Sequence, residues 1–258
     1  MNNMRMYALS CGAVRTDKGN FTLGRDKGLK IDVPVPSFLI VHPKGAVLFD
    51  TGCHPDVAHD PLGRWGGLAK AMFPVCREGD DVVGQLARIG FRPDDVAVVI
   101  NSHLHMDHCG GNQFFPKAVF YVQQDELDAA RDPAMEGQGY FRHDWDHPLD
   151  YRAVAGDHDV FGDRAVEIIL TPGHTDGHQS LVVRLPQSGA IVIASDACYM
   201  VENYDELLLP RMTANPDDSM RSYLRLHAIQ ESERAFVVVG HDPEFWQSHV
   251  KHPPAYYE

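Results

Sequence analysis

The stretch Ser102-His103-Leu104-His105-Met106-Asp107-His108-Cys109-Gly110 places three imidazoles and one carboxylate within six positions. Neutral imidazole and carboxylate suit zinc and similar divalent ions, and so dense a group is costly unless it binds something. The β-branched run Val96–Ile100 just before it predicts a buried strand. On an extended continuation of that strand, His103 and His105 point to the same side. We therefore interpret this stretch as a metal-binding loop rather than as a loop of solvated histidines.

Three later apolar runs share one organisation, a predicted buried strand followed by a small residue or turn and then by an acid or imidazole. They are residues 166–170 before His174, 190–194 before Asp196, and 235–239 before His241. In an α/β sheet, sites gather just beyond the carboxyl ends of the strands. We therefore expect seven side chains to meet at one edge: His103, His105, Asp107, His108, His174, Asp196 and His241.

Seven ligands are too many for one tetrahedral zinc but suit two metals. An economical division gives one metal three histidines, namely His103, His105 and His174. The other metal then takes Asp107, His108 and His241. Asp196 bridges both through its two carboxylate oxygens. Two metals about 3.5–4 Å apart can share a water and lower its pKa towards about 7, so the residues predict hydrolysis by two Zn²⁺ per chain or by other divalent ions.

The run His-x-His-x-Asp-His, with the later Gly-His, Ser-Asp and Gly-His pairs, resembles the motifs of the metallo-β-lactamase superfamily. Asp50-Thr51-Gly52 is similar to an early motif of that superfamily, in which the aspartate supports the metal loop. The resemblance extends from about Ile31 to His241. It implies an α/β fold of the αβ/βα four-layer sandwich type, with two packed mixed sheets flanked by helices. Periodicity alone predicts only a mixed α/β domain.

Within the superfamily the chain resembles the quorum-quenching N-acyl homoserine lactone lactonases. Tyr199 follows Asp196 by three residues, the offset at which those enzymes carry a tyrosine that reaches the substrate. Residues 33–40 and the loop beginning at residues 53–55 are also similar to that group. Met106 stands where Phe is frequent, which leaves the chemistry intact and the acyl-chain preference open. An ordinary core tyrosine is the alternative interpretation of Tyr199.

The resemblance implies a hydrolase that opens the lactone ring of N-acyl homoserine lactones by a metal-bridging hydroxide and gives N-acyl homoserines. Its partner would be a small-molecule acyl lactone. Tyr199 would donate a hydrogen bond to the developing oxyanion. Asp107 would both bind metal and pass a proton to the departing ring oxygen. These two residues are the predicted catalytic groups.

Other functions use a similar metal loop and remain as alternatives. A glyoxalase II-like thioesterase would normally need a further helical domain, and a secreted β-lactamase would need a signal peptide. Another lactone or ester hydrolase and a phosphodiesterase are further candidates. A non-enzymatic metal- or lactone-binding protein belongs to a different class. Turnover by metal-loaded against metal-stripped protein separates that class from an enzyme.

Composition is consistent with one compact enzyme domain over residues 1–258. Hydrophobic residues make up 44% of the chain, and the net charge of −13 argues against a nucleic-acid partner. No apolar run reaches the roughly 18–20 residues of a membrane helix, and the start lacks a signal-like apolar region. Five irregularly spaced cysteines favour a reducing cytoplasm. Cys109 and Cys198 adjoin ligand positions and are weaker metal-ligand candidates, and a homodimer is left open.

Three other segments and one further histidine have predicted structures or roles. Residues 61–74 form either a lid or dimer contact, or, slightly favoured, a helix whose apolar side chains Trp65, Leu68, Met72 and Phe73 pack into the core. Gln124–Arg131 predicts a surface helix. Residues 219–229 predict an amphipathic helix with Met220, Tyr223, Leu224 and His227. His178 either supports the metal ligands or is a loop histidine bonded locally.

Overall fold

The computed structural model describes residues 4–258 and divides their strands between two mixed sheets. The first sheet has seven strands in the order β4-β1-β2-β3-β5-β6-β7. These are β1 (Arg5–Asp17), β2 (Lys30–His42), β3 (Gly45–Phe49), β4 (Phe73–Val75), β5 (Val96–Ile100), β6 (Val119–Gln123) and β7 (Asp150–Val154). The second has five strands in the order β12-β11-β10-β9-β8. These are β8 (His158–Asp159), β9 (Val166–Leu170), β10 (Gln179–Leu185), β11 (Gly189–Ser195) and β12 (Phe236–Val239).

Eight α-helices are found in the described part of the chain. They are α1 (Pro61–Trp65), α2 (Val82–Arg88), α3 (Met106–Cys109), α4 (Gln124–Arg131), α5 (Arg142–Trp145), α6 (Val201–Asp205), α7 (Pro216–Glu233) and α8 (Pro243–His249). Short 3₁₀ turns, such as Pro55–Ala58 and Gly66–Lys70, lie between several of them. Among residues 4–258, none of the helices is long and apolar enough to cross a membrane.

The two sheets pack face to face over a shared apolar layer. Phe38 and Ile100 contribute to this layer from the first sheet, and Ile168 and Ile193 contribute from the second. The outer face of the second sheet is covered by α7, and the outer face of the first by α1, α2 and their connections. The predicted αβ/βα four-layer sandwich is therefore confirmed.

Strand direction determines where the site lies. In the first sheet, β3, β5 and β6 run parallel to one another. In the second, β10 is antiparallel to both β9 and β11, and β12 is parallel to β11. The strands β9, β11 and β12 therefore share one direction, and their carboxyl ends lie at the same edge.

The predicted helices form, with differences in what they bury. Helix α4 has the predicted bounds, but Glu126 is fully buried in it, so the helix is not confined to the surface. Helix α7 begins at Pro216, before the predicted segment, because the Asn215 side chain caps its first backbone N–H groups. Its buried face carries Tyr223, whereas Leu224 is 54% exposed and lies on the solvent side.

Residues 61–74 do not form the single helix that the spacing favours. Helix α1 ends at Trp65, and the next residue, Gly66, has a φ of 53°. The 3₁₀ turn Gly66–Lys70 follows, and the chain then enters β4. Trp65 is buried in the core as predicted, but Phe73 is 50% exposed. Leu68 and Met72 are partly buried and line a cavity beside the metal-binding loop. The segment therefore combines core packing with coverage of that cavity.

Candidate metal centre

Four strands bring the predicted site residues to one edge of the sandwich. The loop after β5 carries the first four candidate ligands, and the segments after β9, β11 and β12 carry the other three. The structure gathers all of them into overlapping groups of close nitrogen and oxygen atoms: His103, His105, Asp107, His108, His174, Asp196 and His241. The side chains come together as the strand-end pattern predicts.

Three histidines form the first group. His174 Nε2 lies 3.1 Å from His103 Nε2 and 3.0 Å from His105 Nδ1. Nitrogen ligands about 2.0–2.1 Å from a tetrahedral zinc lie roughly 3.3 Å apart, close to this spacing. Burial lowers the pKa of His105 and of His174 to about 3 and also lowers that of His103, so the rings are neutral at pH 7. Neutral nitrogens that converge in this way can bind a cation.

Asp107, His108 and His241 form the second group. Asp107 Oδ2 lies 3.8 Å from His108 Nε2 and 3.9 Å from His241 Nε2. Burial by itself would lower the pKa of His108 and His241, but the Asp196 and Asp107 carboxylates outweigh burial and raise it. The second half of the centre therefore holds more negative charge than the first.

Asp196 lies between the two groups, with one oxygen turned to each. Its Oδ1 is 3.0 Å from His241 Nε2 and 3.2 Å from His108 Nε2. Its Oδ2 is 3.5 Å from His174 Nε2 and 3.9 Å from His103 Nε2. Each carboxylate oxygen of Asp196 therefore faces a different group of candidate ligands.

Two buried polar atoms without hydrogen bonds show whether these side chains are suited to bind metal ions. His108 Nε2 and Asp196 Oδ1 are buried and lie 3.2 Å apart, yet neither atom takes part in a hydrogen bond among residues 4–258. A buried polar atom without a partner costs about 1–3 kcal/mol, and a bound cation would satisfy both of these. Imidazole and carboxylate are also the donor types that zinc takes. The residues therefore fit a pair of divalent ions.

The rings of two candidate ligands, His108 and His241, are also held on the side that faces away from the centre. His108 Nδ1 lies 2.9 Å from Asp50 Oδ2, and Asp50 also accepts hydrogen bonds from the Ser102 backbone and hydroxyl. His241 Nδ1 lies 2.7 Å from the Pro34 carbonyl oxygen. A carboxylate or carbonyl on Nδ1 fixes the proton there and leaves Nε2 free for a metal. Asp50 thus lies where the superfamily motif implies.

Tyr199 lies beside the centre rather than in a remote part of the core. Its hydroxyl is 2.6 Å from His174 Nδ1 and 3.3 Å from the Met212 carbonyl oxygen. Burial raises the pKa of Tyr199, so the phenol stays protonated and can donate. The contact with His174 was not foreseen from the sequence, because an offset from Asp196 does not specify it.

A cavity of about 350 Å³ opens onto the centre. Asp107, Asp196 and Tyr199 reach its wall. Large apolar side chains form much of the rest: Phe21, Val33, Leu68, Met72, Met106, Met135 and Met212. Among the described residues no lysine or arginine lines this cavity, so its chemistry favours an uncharged, partly apolar ligand.

The weaker sequence candidates lie outside the ligand groups. His178 Nδ1 lies 3.1 Å from the Thr171 carbonyl oxygen, and its ring is 5.3 Å from that of His103. It is therefore bonded locally, and its ring packs beside that of the candidate ligand His103. Cys109 Sγ donates to the Leu104 carbonyl oxygen at 3.3 Å, and neither Cys109 nor Cys198 belongs to a close ligand group in residues 4–258.

Sequence reasoning missed Glu126, a buried carboxylate in α4 that contacts the metal loop. The available signal was its position on the same helical face as Leu127 and Ala130, which are also buried. An acidic residue on an apolar face is an exception that asks for a specific partner.

A cluster of His and Asp side chains at the edge of an αβ/βα sandwich is typical of one class of metal-dependent hydrolases. Residues 31–241 match the family model of the metallo-β-lactamase superfamily, and the chain belongs to that superfamily.

Similar individual proteins have names that specify one activity within this superfamily. The chain is 39% identical over 264 residues to the N-acyl homoserine lactonase AttM of Azorhizobium caulinodans, with 100% of each chain covered. It is 31% identical over 246 residues to an N-acyl homoserine lactonase of Bacillus thuringiensis, with 95% of each covered. A solved N-acyl homoserine lactone hydrolase with N-hexanoyl-L-homoserine at its catalytic metal centre superposes with a TM-score of 0.89, at 30% identity and 98% coverage of each chain.

Proposed function

We propose that this protein is a two-zinc hydrolase that opens the lactone ring of N-acyl homoserine lactones and releases N-acyl homoserines. The observation that carries the proposal is a paired His and Asp centre at the base of an apolar cavity without basic side chains. The substrate named for the similar lactonases combines a neutral ring with an apolar chain, which suits that cavity.

The seven gathered residues would hold the ions. One would bind the three histidines His103, His105 and His174. The other would bind Asp107, His108 and His241. Asp196 would bind both, since each of its oxygens faces one group. When bound, two divalent ions supply a hydroxide nucleophile near neutral pH and a Lewis acid for the carbonyl.

Two residues on the cavity wall would handle the substrate. The Tyr199 hydroxyl, protonated because burial raises its pKa, would donate a hydrogen bond to the lactone carbonyl oxygen. The Asp107 carboxylate reaches the same space. It would take the proton of the hydroxyl group added to the carbonyl carbon and pass it to the ring oxygen as the ring C–O bond breaks. Acid and alcohol remain one molecule after ring opening, so the leaving group does not depart separately.

The cavity also argues against the competing reactions. Glutathione thioesters and phosphodiesters are anionic, and their recognition uses clustered arginine or lysine. The lining of this cavity, within residues 4–258, supplies neither, and exposed Asp176 adds negative charge at its wall. A neutral lactone is not repelled by this carboxylate.

A substrate panel tests the proposal. Zinc-loaded protein would be assayed with N-hexanoyl homoserine lactone, a glutathione thioester, an aryl phosphodiester and a β-lactam. We expect kcat/KM for the lactone to exceed the others by at least about 100-fold, a ratio that one well-matched site can supply. A faster thioester or phosphodiester would assign a different reaction, and no turnover by protein with two zinc ions would favour a binding protein.

The remaining proposals concern the chain as a whole. We propose that residues 1–258 act as one domain and that the protein works in a reducing compartment such as the cytoplasm, since all five cysteines are free. The homodimer left open by the sequence would be tested by light scattering on the full chain.

A further inference from the structure

Glu126 is a fully buried carboxylate that the proposed chemistry does not use. It accepts three hydrogen bonds from three separate segments. The Leu104 backbone N–H donates to Oε1 at 2.8 Å, and the Tyr140 hydroxyl donates to the same oxygen at 2.9 Å. The Thr175 hydroxyl donates to Oε2 at 2.6 Å. Helix α4 thus joins three loops through one side chain.

Every one of these donors adjoins a member of the three-histidine group. Leu104 lies between His103 and His105 in the chain, and Thr175 directly follows His174. The Tyr140 ring packs edge-on against His105, with 4.5 Å between ring centres. The contacts of Glu126 therefore converge on one half of the metal centre.

Two glycines show how closely these segments are packed. A Cβ on Gly177 would lie 2.2 Å from the Glu126 backbone nitrogen, so the loop after His174 rests directly on α4. A Cβ on Gly139 would lie 2.7 Å from the His105 ring. With so little free space, the length and acceptor geometry of the Glu126 side chain set the separation of the two histidine loops.

We propose that Glu126 is a positioning residue that holds the His103–His105 loop and the His174 loop at the spacing that one metal ion requires. The inference rests on the proposed metal centre but not on the identity of the substrate. The half formed by Asp107, His108 and His241 has other supports, notably Asp50 and the Pro34 carbonyl, and does not depend on Glu126.

Glu126→Gln is the sharpest test, because it keeps size while replacing one acceptor oxygen with an NH₂ group. The amide cannot accept from both Leu104 and Thr175. Supporting groups of this kind typically contribute 10–100-fold to metal affinity. We expect one of the two zinc-binding steps of the stripped full chain to weaken by about 10–100-fold while the other stays unchanged.

Asp125→Asn is the matched control, since Asp125 is the exposed neighbour on the same helix. It should leave both zinc-binding steps unchanged. The affected step is identified in two backgrounds. With His241→Ala, which damages the other half, Glu126→Gln should still weaken the remaining ion. With His174→Ala, it should have no further effect on the remaining ion.

Equal weakening of both steps, or of neither, would overturn the proposal. If Glu126→Gln does not fold, Thr175→Val and Tyr140→Phe each remove one of its hydrogen bonds and should weaken the same single step by a smaller factor. Co²⁺ absorption provides a second readout, because only one of the two sites should change its spectrum. If the protein binds zinc as expected but hydrolyses no lactone, the substrate proposal is refuted and the positioning role of Glu126 is unaffected.

Discussion

Tyr199→Phe removes a single oxygen atom at the junction of the metal centre and the cavity. The ring should stay in place, because it packs against Phe21 with 4.8 Å between centres and stacks on His241 at 5.8 Å. The substitution removes the hydroxyl 2.6 Å from His174 Nδ1. It therefore tests two roles of one hydroxyl group, the support of His174 as a metal ligand and the hydrogen bond to the substrate carbonyl oxygen.

The magnitudes follow from these two roles. Loss of a group that orients a metal-binding histidine costs about 10–100-fold in affinity, here for the ion held with His174. At saturating zinc the remaining loss is one donor to the carbonyl oxygen. Two ions would share that charge in a partly wet site, so we expect about 1–2 kcal/mol, roughly a 5–30-fold fall in kcat.

Zinc titration of stripped protein and lactone turnover at saturating zinc measure the two effects separately. Tyr204→Phe is the matched control, since Tyr204 also gives one hydrogen bond, to Gln230 at 2.7 Å, but lies outside the ligand groups and the cavity lining. It should leave zinc affinity and kcat unchanged. Wild-type affinity and wild-type kcat in Tyr199→Phe would refute the reasoning and return Tyr199 to an ordinary core role.

Three further outcomes follow from the centre and its cavity. Asp196→Ala should weaken both zinc sites, each by more than the 10–100-fold that a supporting residue contributes, as seen by elemental analysis; retention of two ions with normal turnover would exclude a bridge. Burial holds the pKa of His105 and His174 at about 3, below about 6.5 in the unfolded chain, so below about pH 6 the unfolded chain binds protons that the folded chain does not. The stability of zinc-free protein should therefore fall with pH there, by about 1.4 kcal/mol per pH unit for each of these two rings, and a Tm that is equal at pH 6 and pH 5 would contradict this. Met72→Ala should raise KM for a long-chain lactone more than for a short one, at roughly 0.8 kcal/mol for each substrate methylene that is no longer buried, whereas exposed Phe73→Ala should not.

The convergence of the seven candidate side chains was predictable because its signal is local. Each candidate follows an apolar strand, and the parallel direction of β9, β11 and β12 brings His174, Asp196 and His241 to one edge. The two carboxylate oxygens of Asp196 made it the natural bridge between groups. Strand periodicity and donor chemistry were sufficient for that part of the site.

The features that were missed depend on tertiary contacts. In the sequence, an isolated acidic residue such as Glu126 suggests a solvent-exposed side chain. Only the folded chain shows three hydrogen-bond donors around its carboxylate. The Tyr199 contact with His174 joins residues 25 apart in the chain. In segment 61–74 the apolar spacing favoured one helix, but the left-handed conformation at Gly66 ends it.

Ring opening in ¹⁸O-labelled water tests whether the zinc-loaded protein adds water to the lactone carbonyl. Zinc-loaded and zinc-stripped protein would be incubated with N-hexanoyl homoserine lactone, and the product would be analysed by mass spectrometry. We expect one ¹⁸O in the new carboxylate, none in the hydroxyl, and no catalysis above buffer by stripped protein. Protein carrying two zinc ions per chain that leaves the ring closed, or label found in the hydroxyl oxygen, would contradict this expectation.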